Sequence, residues 1–174
     1  MNSNSNENFS SGELVRKHPV ALTIEDVITF RLQRLVAIGE RAGQDWSQRM
    51  FDLSLNEWRL LALIKSRSPC RAGDMADLLL MDKSQTSRVI KVLLKKGLIQ
   101  NLPDPNDGRA VSLTLTKVGE QLHEEMFEEV MKSNERVLAT LTREEALALD
   151  SILRKLVDHT HSLLEVRLGR KILR

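Results

Sequence analysis

Residues 81–99, Met81-Asp82-Lys83-Ser84-Gln85-Thr86-Ser87-Arg88-Val89-Ile90-Lys91-Val92-Leu93-Leu94-Lys95-Lys96-Gly97-Leu98-Ile99, decide the fold. On a helical wheel Val89, Ile90, Leu93 and Leu94 share one apolar stripe, while Ser84, Ser87, Arg88, Lys91 and Lys95 gather on the opposite side. A solvated helix face ordinarily mixes acidic with basic residues at i,i+4 spacing, yet after Asp82 no carboxylate occurs before Asp104. The pattern predicts a short two-faced helix whose outer side meets a negatively charged partner.

Working outward, Gly73 to Leu80 reads as another short helix ending at the doorstep of the basic one. Two short helices joined by a few residues are a helix-turn-helix candidate. On the other side Gly97 is a natural C-cap, and Leu98-Ile99-Gln100-Asn101-Leu102 and Val111-Ser112-Leu113-Thr114-Leu115 read as short strands. The stretch between them, Pro103-Asp104-Pro105-Asn106-Asp107-Gly108-Arg109, is rich in turn-forming residues, so a β-hairpin presenting Arg109 is expected. Beside a basic helix, such a hairpin is a wing.

Long helices flank this unit. Thr23 and Asp26 have capping-box spacing and are expected to open a helix through Ile28, Leu32, Leu35 and Val36 to about Met50. Ser54 and Glu57 repeat that spacing ahead of the apolar run Leu60-Leu61-Ala62-Leu63-Ile64, which predicts a buried helix. After Thr116, Val118, Leu122, Met126, Val130 and Val137 mark a long helix; Thr142 and Glu145 cap a second, carrying Leu147, Leu149, Ile152, Leu153, Leu156 and Val157. Apolar stripes longer than a small winged domain can cover suggest packing against a second copy of the chain. The expected organisation is a disordered leader at residues 1–20, Asn/Ser-rich over its first 12, a winged helix-turn-helix DNA-binding domain at 53–116, and a helical dimerisation region at 21–52 and 117–174. The fold class is mainly α with a small β-wing.

Composition agrees. With 41% hydrophobic and 29% charged residues, the 174-residue chain belongs with globular, helix-rich proteins. A net charge of +2 is too small to argue polyanion binding for the whole chain, so that argument rests on where the charges cluster. The single cysteine, Cys70, excludes an internal disulfide and disfavours structural zinc. No apolar run approaches the roughly 18 residues of a membrane span, and the start lacks a signal-peptide core. A soluble, cytoplasmic protein without membrane partners is expected.

From about Ile24 to Leu164 the chain resembles the MarR family of bacterial winged helix-turn-helix transcriptional regulators. The resemblance is carried by Leu80 through Ile90, Leu93 and Lys96-Gly97-Leu98-Ile99, and by the wing signature Asp107-Gly108-Arg109-Ala110-Val111-Ser112-Leu113-Thr114-Leu115-Thr116-Lys117-Val118-Gly119. It implies a homodimer joined through its first and last helices, recognition helices in successive major grooves of double-stranded DNA, and wings in the flanking minor grooves. It also implies an effector crevice between the two domains.

The DNA-binding candidates are Lys83, Ser84, Gln85, Thr86, Ser87, Arg88, Lys91, Asp107 and Arg109. Hydroxyls and amides can donate to phosphates or base edges. Gln85 suits adenine, although it stands at N3 from Asp82 and can instead close its own helix. Thr86 falls on the apolar arc, where packing competes with contact to DNA. Arg88 and Lys91 suit phosphate clamping, against the plainer reading of a solvated basic face. Arg109 suits a narrow minor groove, with Asp107 orienting it or simply forming the turn.

Candidates for a small aromatic or anionic effector are Arg31, Arg34, Trp46, Trp58 and Arg59, since an arginine among aromatic rings can hold an aromatic carboxylate. Packing is the competing assignment for the tryptophans, and salt bridges for the arginines. Cys70 reads as a buried structural thiol, with a redox switch as the rival. The histidines, His18, His123, His159 and His161, form no metal pattern, and the Glu124, Glu125, Glu128, Glu129 run reads as a solvated face. No catalytic residue, cofactor or metal is expected. A sequence-specific regulator, most simply a repressor released by its effector, is therefore the leading expectation; a redox-responsive regulator and a protein-interaction module are the alternatives.

Overall fold

A computed structural model describes residues 20–103 and 111–173. They form α1 (Ile28–Phe51), α2 (Leu55–Arg67), α3 (Ala72–Leu79), α4 (Lys83–Lys95), β1 (Ile99–Pro103), β2 (Val111–Leu115), α5 (Lys117–Leu138) and α6 (Arg143–Leu168). The chain divides into two units, Met1–Ala42 and Gly43–Arg174. That boundary falls inside α1. The expected leader lies almost wholly outside the described residues.

In the first unit the Thr23/Asp26 signal does less than expected. The Asp26 carboxylate accepts the backbone N–H of Thr23 at 3.0 Å and of Leu22 at 3.1 Å, but the turn it closes is a three-residue 3-10 helix, Ile24–Asp26. Val27 is extended (φ −73°, ψ 119°), so α1 starts afresh at Ile28. Within α1 of this unit, Ile28, Leu35, Val36 and Ile38 are exposed.

The second unit contains the core. Ser54 accepts from the Glu57 N–H at 3.3 Å while Glu57 accepts from the Ser54 N–H at 3.2 Å, so the expected capping box opens α2. That helix buries Trp58, Leu60, Leu61 and Ile64, with the last three fully enclosed. Each such aliphatic side chain contributes about 1.5–3 kcal/mol relative to exposure. Met75 of α3, Ile90 and Leu93 of α4, Ile99 of β1, Leu113 of β2 and Met126 of α5 belong to the same cluster.

β1 and β2 pair antiparallel, from Ile99 opposite Leu115 to Pro103 opposite Val111. Cys70 adds a one-residue bridge to Leu113, its N–H donating at 3.3 Å and its carbonyl accepting at 2.8 Å. The sheet leads directly into α5, whose N-cap Thr116 accepts the Gly119 N–H at 3.1 Å and donates its own hydroxyl to Gly97 at 2.7 Å. α6 opens on the expected Thr142/Glu145 box. It buries none of its residues, and Leu147, Ile152, Val157 and Leu163 are left exposed along it.

Candidate nucleic-acid interface

The basic helix is fixed at both ends by residues whose side chains leave its outer face free. At its start the Asp82 carboxylate accepts the Gln85 backbone N–H at 2.7 Å, the N-cap bond that satisfies an orphan donor of the first turn. Among the described residues no bond returns from the Gln85 amide to Asp82, so the capping box is half formed and the amide is exposed. The two uses weighed for Gln85 thus separate: its backbone serves the cap and its side chain does not.

Thr86 is placed differently from the other DNA-binding candidates on α4. Only 2% exposed, it donates its hydroxyl to the Asp82 carbonyl at 3.0 Å. This burial agrees with its position on the apolar arc of the wheel.

Around the helix the remaining positions divide cleanly. Ile90 and Leu93 are buried, Val89 and Leu94 half-buried, and Lys83, Ser84, Gln85, Ser87, Arg88, Lys91 and Lys95 exposed. The turn joining α3 to α4 is closed by Leu80 N–H to the Asp77 carbonyl (3.2 Å) and Met81 N–H to the Ala76 carbonyl (3.0 Å). A hollow of about 530 Å³ lies between α3, α4 and the strands, its floor made by Ala76, Thr86, Ile90, Leu94 and Leu113 and its rim carrying Lys83 and Lys91.

The far end of α4 closes in a Schellman motif: Leu98 N–H donates to Leu93 and Gly97 N–H to Leu94, both at 3.0 Å, with Gly97 at φ +67°. Lys96 holds this end in place. Its ammonium donates to the Asp52 carbonyl and pairs with the carboxylates of Asp52 at 3.2 Å and Glu57 at 3.3 Å. Sequence reasoning gave Lys96 no such role, because its partners are far away in the chain and one of them, Glu57, already had a capping role.

β1 and β2 are the stems of the expected wing. Asp107 and Arg109 lie outside the described residues.

Of the effector candidates, Arg31 and Arg34 belong to the first unit and Trp46, Trp58 and Arg59 to the second. In the first, Arg31 and Arg34 line a hollow of about 460 Å³ with Glu25, Asp26, Phe30, Leu35 and Ile38. Arg31 is engaged there, its Nε donating to the Glu25 carbonyl at 2.6 Å and its Nη2 to the Asp26 carboxylate at 3.3 Å. Asp26 is held below the usual carboxylate range by the Thr23 backbone N–H first, then by that of Leu22, with Arg31 a smaller cause.

In the second unit Trp46 meets Phe51 edge-on with ring centroids 5.3 Å apart. Trp58, 7% exposed, lies 5.4 Å from the His123 ring, which in turn stacks on Phe127 at 5.5 Å. Burial pulls the His123 pKa down, helped by Lys65. Both tryptophans make ring contacts within this unit, and Arg59 is half-buried next to Trp58 in sequence. Cys70 is buried, and burial, reinforced by the Asp74 carboxylate, pushes its thiol up to about 11. No helix among the described residues is long and apolar enough to cross a membrane.

The MarR family model matches residues 53–111, from the end of the α1–α2 corner to the first residue of β2. The HTH-type transcriptional regulator FarR of Neisseria gonorrhoeae is 32% identical over 100 residues, covering 58% of this chain and 68% of that protein. Among solved structures, a MarR/EmrR family transcriptional regulator from Acinetobacter sp. ADP1 gives a TM-score of 0.73 at 24% identity, covering 80% of this chain and 98% of the other. The MepR–DNA complex of S. aureus gives 0.70 at 17% identity, covering 79% and 99%. At these identities the two structural likenesses speak for the fold.

Proposed function

The chain belongs to the MarR family of DNA-binding transcriptional regulators, and we propose that it is a homodimeric repressor released from a pseudo-palindromic operator by a small effector. The observation that carries the DNA-reading half is the division of α4. One side is sunk in the core, and the other presents Lys83, Ser84, Gln85, Ser87, Arg88 and Lys91 without a carboxylate among them. On this reading α4 enters the major groove, Gln85 reads a base edge, Ser84 and Ser87 donate to phosphates or bases, and Arg88 and Lys91 neutralise phosphates. Asp107 and Arg109 belong to the wing, with Arg109 in the minor groove.

Dimerisation is supported by the apolar residues left uncovered on α1, α5 and α6, including Ile28, Leu35, Phe127, Leu147, Ile152 and Leu163. Surface of that character and length calls for a partner, and a second copy meets it through helices from residues 21–52 and 117–174. A two-fold dimer binds half-sites about one helical turn apart. Repression follows when the seated dimer occludes a promoter, and the cytoplasm, where the operator lies, is the place of action. For the effector, the hollow beside Arg31 and Arg34 supports an anion, with Phe30 supplying an aromatic wall.

Selection of bound duplexes from a random pool tests the whole reading. An inverted repeat with half-sites about one turn apart is expected. Weak, salt-sensitive binding with no preferred sequence would favour a protein-interaction module instead.

A further inference from the structure

The segment after α6 is fastened to the helix-turn-helix. Gly169, at φ +63°, ends α6 and turns the chain. Arg170 then meets Asp77 of α3 in a bidentate pair, Nη1 to Oδ2 at 3.0 Å and Nη2 to Oδ1 at 2.9 Å. That pair, with a smaller part from the Leu173 backbone, holds the Asp77 carboxyl below its ordinary range. Ile172, 7% exposed, donates its own N–H to Glu165 at 3.1 Å. A lone exposed ion pair adds little, but this one has two parallel hydrogen bonds and is followed two residues on by the buried Ile172. Bidentate geometry fixes orientation as well as distance.

Asp77 is also where the turn into α4 begins, because its carbonyl accepts the Leu80 N–H. A constraint on Asp77 therefore passes through Leu80 and Met81 to Asp82, the N-cap of the basic helix. Lys96 anchors the opposite end of α4 to Asp52 and Glu57. α6 itself buries none of its residues, so the tail provides a defined attachment between the α6 segment and the reading helix.

We propose that Arg170 and Asp77 form a clasp that positions α4 relative to α6, and so sets the separation at which two copies of α4 meet DNA. The proposal rests on the operator-binding dimer argued above. Both residues act through α4, and neither touches DNA. Pre-set geometry favours the operator whose half-site spacing matches it, since a loosened head must be ordered again on binding.

The test measures affinity of the full chain for its selected operator and for the same operator lengthened by one base pair between half-sites. Arg170→Ala and Asp77→Asn are each expected to weaken binding to the correct spacing by about fivefold, the upper end for one exposed charge pair. Both should narrow the preference between the two spacings, the double variant should lose no more than either single one, and the exchange of Arg170→Asp with Asp77→Arg should restore part of the loss. Unchanged or tighter binding by Asp77→Asn would overturn the clasp, because it would mean that Arg170 is freed to contact phosphate or does nothing. Equal weakening on both spacings, with a lowered unfolding midpoint, would overturn it in favour of general destabilisation. Wild-type chain that selects no duplex removes the operator reading itself, whereas normal selection with unaffected variants removes only the clasp.

Discussion

A β-carbon added to Gly119 would lie 1.9 Å from the carbonyl oxygen of Leu98. That carbonyl already accepts the Thr116 N–H at 3.0 Å, so the backbone entering β1 and the first turn of α5 are in direct contact with no room between them. Gly119→Ala must push the base of the wing away from α5. We expect a loss of about 3 kcal/mol, the upper range for overpacking where backbone rather than a side chain must yield. Urea unfolding measures it, and an unchanged midpoint would show that the junction accommodates the methyl group.

The exposed cations of α4 should show themselves in salt dependence. Arg88→Ala and Lys91→Ala are each expected to weaken binding on every duplex and to lower the salt slope by about one. Arg109→Ala should do the same from the wing. A slope equal to that of wild type after any one of these changes removes that residue from the phosphate or minor-groove contacts.

Gln85 and its neighbour Thr86 should behave oppositely. With its amide exposed and its backbone N–H serving the Asp82 cap, Gln85→Ala should cost on the order of 1 to 3 kcal/mol at one base position and leave stability nearly unchanged. Thr86→Val deletes the hydroxyl that donates to Asp82; about 1 kcal/mol of stability is expected to go, with base preference intact. Equal loss by Gln85→Ala on all sequences would convert its role to a phosphate contact.

Local signals in the sequence translated well into structure. Ser54 with Glu57, Thr142 with Glu145, Asp82 ahead of Gln85 and Gly97 after α4 each act within a few residues, where hydrogen-bond geometry follows directly from spacing. Thr23 with Asp26 formed part of its contact and still failed to start α1, because the extended Val27 intervenes. What stayed hidden was non-local. Lys96 on Asp52 and Glu57, Arg170 on Asp77, and Gly119 on Leu98 join residues that only the packed chain brings together. The wheel of α4 sorted buried Ile90 and Leu93 from exposed Arg88 and Lys91 correctly, since one helix face is decided by period alone.

The hollow beside Arg31 and Arg34 makes a ligand prediction. Arg31 is tied to Glu25 and Asp26, so Arg34 is the better candidate for an incoming carboxylate. A screen of small aromatic acids followed by tryptophan fluorescence and operator binding should find a compound that releases DNA, and Arg34→Ala should weaken its effect about tenfold, as loss of one charge-assisted contact implies. An effector that works equally well on Arg34→Ala would place its carboxylate elsewhere.

Cys70 should be chemically quiet. Its thiol is buried, bridges to Leu113 through its backbone, and is pushed up to about 11 from an ordinary 9.0, which reduces the reactive thiolate near neutral pH by roughly a hundredfold. Alkylation of the folded chain should therefore be slow and become fast on unfolding. The raised value also fixes a sign: the folded state holds this proton more tightly, so the associated stability is fully present below pH 9 and is lost as pH rises towards 11. Cys70→Ala should lack that increment of alkaline destabilisation when the two proteins are compared by urea unfolding from pH 8 to 11. Peroxide that released DNA from wild type but not from Cys70→Ser would overturn the structural role and make this thiol a switch.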